Sequence, residues 1–294
     1  NFSLNKHLKG TIRLDLHNEG KLLYNGSIKL NQFSLNKVLA NLNMKPIDIK
    51  NKTILDSVSL STDFNGNNKS ADFSKLTINI AQSTIQGTIK INSITPLSIQ
   101  NDLNINQLEA SDWTSLSGYQ IPMENVDIRG NFNNVNMGIN KMTAHEHLTI
   151  KDVTLHGINL QHHIDTAEKI LTIHQFADPL NLLERLYTIM SPSLYTHKDL
   201  KQKTNLGKLN TNIELSNGIL TTPGFSLNGP ILRFTNRGLI NLSKNYINYY
   251  VYIKIVSIPA HSLLGSITYP YVIQGNLNNP ETSVDKLSLQ KQII

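Results

Sequence analysis

Cysteine is absent from the 294 residues. That excludes a disulfide framework, a thiolate metal site and a cysteine nucleophile. Tryptophan occurs once and aromatic residues make up only 6%, which is little material for a thick core packed with rings. Charged residues are also scarce at 16%, and hydrophobic residues reach 39%. Asn, Ser, Thr and Gln fill the gap, a composition on which no functional argument rests. No stretch approaches the roughly 18 apolar residues that span a bilayer. The nearest candidate, residues 246–258, is too short and contains Asn248 and Lys254. No signal-peptide pattern opens the chain, and Phe2-Ser-Leu is already strand-like. The sequence therefore reads as a piece of something longer.

The motifs of common enzymes are missing too. There is no Gly-x-Ser-x-Gly elbow, no Walker loop and no Gly-x-Gly-x-x-Gly. Asp15 with Glu19, or Asp63 with Asp72, would be paired acids only in a cleft, and nothing in the sequence makes one. His145-Glu-His147 sets two imidazoles on one strand face, with His162, His163 and His174 nearby in sequence. On a wet strand such spacing reads as polar surface, so no metal and no cofactor are expected. The net charge of +6 favours anionic partners, yet the basic residues are spread out, with no block longer than residues 198–203. Tyr246, Tyr249, Tyr250 and Tyr252 with Lys244 and Lys254 do not make the basic aromatic strip that nucleic acid needs. No nucleic-acid partner and no enzymatic activity are expected.

What the sequence has in quantity is alternation. Gly10-Thr-Ile-Arg-Leu-Asp-Leu-His17 places Ile12, Leu14 and Leu16 on one face and Arg13, Asp15 and His17 on the other. The pattern returns at residues 26–31, 75–80, 87–92, 102–108, 148–151, 212–215, 231–234 and 247–255. About fourteen antiparallel strands joined by Asn/Gly/Ser turns are expected, each dry on one side and wet on the other. The dry positions that stand out are Ile12, Leu14 and Leu16, then Ile28 and Leu30, then Leu76, Ile78 and Ile80. Ile89 and Ile91 follow, then Leu103 and Ile105, and finally Ile247, Val251, Ile253 and Ile255. Tyr249 joins that last face, while Tyr250 and Tyr252 point the other way.

Helical signals are few. Ser34 precedes Leu35, Val38, Leu39 and Leu42 at the spacing of one helix face. Ile164, Ala167, Ile170 and Leu171 suggest a second helix. Asp178-Pro179 starts a third that Ser191-Pro192 ends, and Pro259 to Leu264 allows one more turn. Four short helices cannot cover so many strands, which at ~4.8 Å each extend over ~65 Å. A sandwich, a closed barrel and an open gutter holding apolar ligand all remain. The shortage of Phe and Trp favours the gutter. A loose repeat, in which residues 130–159 echo the strand succession after Gly26, favours a quasi-linear array.

Two blocks resemble the AsmA family. In residues 27–113 the likeness lies in Phe33-Ser-Leu-Asn-Lys-Val-Leu39, the expected hairpin Ser83-Thr-Ile-Gln-Gly87, and residues 101–108 up to Trp113. Residues 53–64 and 73–80 are read there as strands. In residues 150–285 it lies in Val153-Thr-Leu-His-Gly157-Ile-Asn-Leu160, Thr204-Asn-Leu-Gly-Lys-Leu209, Leu215-Ser-Asn-Gly218-Ile-Leu220, Gly238-Leu-Ile-Asn-Leu242 and Tyr269-Pro270 through Pro280 and Asp285. Asn stands for the family's Asp at Asn159, Asn205 and Asn241, Leu206 for its Phe and Asn276 for its Thr; Asn and Asp share local backbone hydrogen bonding.

The resemblance implies a mainly β fold: one elongated domain over residues 1–294, a long curled antiparallel sheet forming an open hydrophobic groove. It further implies a periplasmic protein, held at the inner membrane of a Gram-negative cell by an N-terminal anchor outside this sequence. Its expected work is lipid transfer in outer-membrane biogenesis, with phospholipid or another acyl lipid as partner. The dry residues named above would line the groove. The alternative is a structural envelope-assembly protein whose sheet is a sealed sandwich and whose partners are proteins.

Overall fold

A computed structural model describes residues 2–4, 8–18, 22–41, 43–47, 49, 51–109, 112, 122–157, 159–173 and 199–292. The protein is mainly β, with a long antiparallel sheet and a few short helices. The expected helix after Asp178-Pro179 lies outside the described residues. The chain divides into two compact units. One is Asn1–Ser117 with Pro122–Ile150 and Glu214–Asn217; the other is Gly118–Ile121 with Lys151–Ile213 and Gly218–Ile294.

The first unit is a meander in which each strand pairs with the next. Its strands are β1 (Phe2–Leu4), β2 (Leu8–Asn18), β3 (Leu22–Phe33), β4 (Val58–Asn67), β5 (Ala71–Ile80), β6 (Ser83–Ile94), β7 (Leu97–Glu109), β8 (Pro122–Asn133) and the start of β9 (Thr143–Gly157). Short polar turns make the reversals. Between β4 and β5 the Asn67 side-chain oxygen accepts from the backbone N–H groups of Lys69 and Ser70, at 2.8 and 3.1 Å. Ala81, at φ 52°, turns the chain from β5 into β6, so the residues expected to make a hairpin, Ser83 to Gly87, are instead continuous strand paired to β5.

The β3–β4 connection, the longest in this unit, folds back over the sheet. It carries α1 (Leu35–Asn41) and a 3-10 turn (Lys52–Asp56). Residues 53–57, read from sequence as the start of a strand, belong to that turn and the bend after it. Ile54 and Leu55 are both buried, and neighbouring residues cannot share one face of a strand, whereas a tight helix permits it. They pack with Phe33, Val58 and Ile80, flanked by Leu35, Val38 and Ile78. The Ser34 hydroxyl donates to Asp56 Oδ1 at 2.6 Å, so it ties the two ends of the connection together.

The second unit contains the end of β9, α2 (Leu160–Ile173), most of β10 (Asp199–Ser216), β11 (Ile219–Thr221), β12 (Ser226–Asn228), β13 (Leu232–Asn241), β14 (Tyr246–Ile255), α3 (Leu263–Ser266), β15 (Thr268–Asn276), β16 (Asn279–Val284) and α4 (Lys286–Gln290). Asn217 and Gly218, at φ 51° and 72°, make the two-residue turn between β10 and β11. The order then runs β11-β13-β14-β15-β16, and β12 pairs with both β10 and β13. Helices α2, α3 and α4 bring Ile164, Ala167, Leu264 and Leu289 onto Leu232, Ile255 and Tyr269. The two shortest helices are capped by side chains. Ser262 Oγ accepts from the Gly265 N–H, and Asp285 Oδ1 from the Ser288 N–H. The turn expected over Pro259 to Leu264 overlaps only the start of α3, and nothing in the sequence reading anticipated α4.

Candidate ligand face

Strand register decides which side chains share a surface. In the first unit Ile12 lies opposite Ile28 and Leu14 opposite Gly26. Gly26 faces Phe64, and Leu30 faces Leu60. Phe64 faces Phe73, Leu60 faces Ile78 and Val58 faces Ile80. Ile78 faces Ile85, Leu76 faces Gly87, and beyond a bulge Phe73 faces Ile89 and Ala71 faces Ile91. Ile85 then meets Ile105, Gly87 meets Leu103 and Ile89 meets Asn101. Leu103 meets Ile128, Ile105 meets Val126, and Asn101 meets Gly130. Directly paired residues point the same way, so one face of β2 to β8 is largely apolar, interrupted by the buried polar side chains of Thr62 and Asn101.

All the dry positions singled out in β2, β3, β5, β6 and β7 fall on this face. They are not equally covered. Leu76, Ile80 and Ile105 are buried, whereas Ile28, Leu30, Ile78, Ile89, Ile91 and Leu103 are half-buried. Ile12, Leu14 and Leu16 stand 47%, 51% and 63% exposed. The α1 connection covers the face around Leu30, Ile78, Ile80 and Ile85. Toward the other ends of β3 to β6 a cleft of about 610 Å³ opens beside Tyr24, Gly66, Ala71 and Ile91.

The opposite face is polar. Asp63 takes an ion pair from Lys75 at 2.8 Å, and Asp102 from Arg129 at 2.9 Å. The Asn104 amide donates to Asp127 at 2.8 Å. Asp72 lies across from Asn65 rather than Asp63, so the two acids considered as a pair are not opposed. His145 and His147 sit on alternate positions of β9 from Glu146, and His147 Nε2 lies 3.2 Å from the Thr149 hydroxyl. Among the described residues no three His, Asp or Glu side chains are grouped to hold a metal ion.

In β14 of the second unit, Ile247, Tyr249, Val251, Ile253 and Ile255 share a face with Ile240, Gly238, Asn236, Phe234 and Leu232 of β13. Ile255 is 2% exposed inside the cluster roofed by α2, α3 and α4, and Ile253 packs against that cluster. Ile247 and Val251 are half-buried. On the other face the Arg237 guanidinium lies over the Tyr250 and Tyr252 rings, at 5.1 and 5.3 Å.

One pair on the apolar face escaped sequence reading. Asn101 and Glu146 are 9% and 6% exposed, and the Asn101 amide donates to Glu146 Oε2 at 3.0 Å. They stand on β7 and β9, with β8 between them. The intervening residue is Gly130, where an added Cβ would come 2.7 Å from the Glu146 carboxyl carbon and 2.0 Å from the His145 carbonyl oxygen. The missing side chain gives Glu146 room to lie flat across β8. Among the described residues Asn101 Oδ1 and Glu146 Oε1 have no hydrogen-bond partner. Burial pushes the Glu146 carboxyl above its ordinary pKa, and the Asn101 hydrogen bond offsets part of that shift. The signal was present in the alternation. Glu146 interrupts Ala144, Leu148 and Ile150, and Asn101 interrupts Ile99, Leu103 and Ile105.

The class of protein is thus a mainly β chain whose first unit carries a two-faced antiparallel meander with one apolar side. Searches of family models, curated proteins and solved structures find no match to it. Among the described residues no helix is long and apolar enough to cross a membrane.

Proposed function

We propose that the apolar face of the first unit holds the acyl chains of a phospholipid or similar lipid. The exposure of Ile12, Leu14 and Leu16 at one end of a largely apolar face carries this reading, because contiguous exposed apolar surface marks a binding site. Mechanism is passive: a chain burying about ten methylenes gains roughly 8 kcal/mol with no polar contact. Strand positions repeat every ~4.8 Å, so neighbouring sites are near-equivalent and a chain can slide between them. The AsmA resemblance supports a setting in the periplasm, with an inner-membrane anchor and a part in outer-membrane biogenesis. The protein acts as a carrier rather than a catalyst.

Native mass spectrometry of gently purified protein tests the idea. Bound lipid is expected in the wild type and lost in Leu14→Asp and Leu16→Asp. Both side chains are more than half exposed, so the substitutions leave the fold intact, as circular dichroism will verify. Protein that never carries lipid, or aspartate variants that retain it fully, would overturn the reading and leave the sheet a structural role in binding envelope-assembly proteins.

A further inference from the structure

The strongest unexplained feature of the molecule is the Asn101–Glu146 pair. Buried polar atoms are almost always partnered, and an orphan needs a reason. Here two orphan acceptors, Asn101 Oδ1 and Glu146 Oε1, belong to directly bonded side chains within one apolar surface. Both residues are more than nine-tenths buried. The glycine between them leaves the carboxyl room on that face. Their neighbours in the register are apolar: Ile89 lies opposite Asn101 on β6, and Leu103 and Ile128 form the next rung.

We propose that this notch binds the primary ammonium head of an amphiphile whose hydrocarbon tail lies along the surrounding apolar face. The proposal rests on the reading of that face as a lipid-holding surface, and it names the headgroup the face selects. The chemistry fits in three respects. An ammonium carries three N–H donors, enough to serve both orphan oxygens, whereas a hydroxyl supplies one. Its positive charge offsets the burial of a carboxylate, which is costly when unpaired. The apolar neighbours suit a tail.

Binding of three single-chain probes below their micelle concentrations, measured by calorimetry on the whole chain, tests this. Decylamine has the charge and the donors, decyltrimethylammonium has the charge alone, and methyl decanoate has neither. Decylamine is expected to bind at least about tenfold more tightly than either of the others, a difference of about 1.4 kcal/mol. The conservative Glu146→Gln variant is expected to abolish that margin while leaving methyl decanoate binding unchanged. Short-chain phospholipids with ethanolamine and with choline heads then separate the sources. Preference for ethanolamine makes a lipid headgroup the ligand, and indifference alongside a decylamine preference makes it a free amine. Equal binding of all three single-chain probes overturns the notch and spares the lipid-holding face. No binding by any of them overturns both.

Discussion

The orphan pair on the apolar face sets up a stability experiment whose sign is not obvious. Replacing Glu146 by Met and Asn101 by Leu together keeps similar volume and removes every polar atom of the pair. Two unpartnered buried oxygens cost about 1–3 kcal/mol each, against roughly 1.5–3 kcal/mol gained from the one hydrogen bond to a charged group. The double variant is therefore expected to be more stable than the wild type, by about 1–3 kcal/mol after these terms are set against one another. Glu146→Met alone should be worse than the double variant, because it strands both the oxygen and the amide of Asn101. The pH dependence follows from burial. The folded protein holds the Glu146 carboxyl above its ordinary pKa, so between the usual value near ~4.3 and the raised one the folded state binds more protons than the unfolded. The contribution is fully present below the unfolded pKa and is lost as pH rises through the folded one. Urea unfolding followed by circular dichroism, at several pH values from 4 to 8, reads both effects. The wild type should lose stability relative to the double variant as pH rises through that window. A double variant that unfolds more easily than the wild type at pH 7, or a difference that shrinks with rising pH, would refute the reasoning.

Two further outcomes are expected from the second unit. Tyr269 is 2% exposed and its hydroxyl has no partner among the described residues, with burial holding the phenol well above its ordinary pKa. Tyr269→Phe should therefore raise the urea midpoint, by about 1 kcal/mol in stability; a clear loss would mean the hydroxyl is bonded. Asp285 accepts from both the backbone N–H and the hydroxyl of Ser288, and these bonds hold its carboxyl below the usual range. Asp285→Ala should cost about 1 kcal/mol at neutral pH. The native cap's contribution is present above the unfolded pKa and should fade as acid takes the pH down through the lowered folded value, so the two proteins converge. Constant separation from pH 7 to 2 would rule out the cap as the cause.

The expected strands were legible because period-2 alternation is a local property. A residue such as Ile89 declares its face through Ile91 two positions on, without knowledge of any partner strand. Short connections with Asn and Gly likewise declared their reversals. Elements whose stability comes from non-local contacts were harder to see. The turn at residues 52–56 is helical because Ile54 and Leu55 bury together against Phe33 and Ile80, and no residue near them announces that. The small α4 was overlooked because its signal is a single capping Asp285.

From its amino acids alone the chain is a β protein with one greasy and one wet side, because side-chain alternation along a strand follows from backbone geometry. Coverage was left to the tertiary structure. Leu14 and Ile255 look the same in sequence, each an aliphatic residue on an alternating strand, yet one is half exposed and the other sealed under three helices. Pairing decided the Asn101–Glu146 contact as well, since a carboxyl and an amide 45 residues apart meet only when register sets Gly130 between their strands. Burial and register are sums over neighbours distant in the chain, and no local pattern contains them.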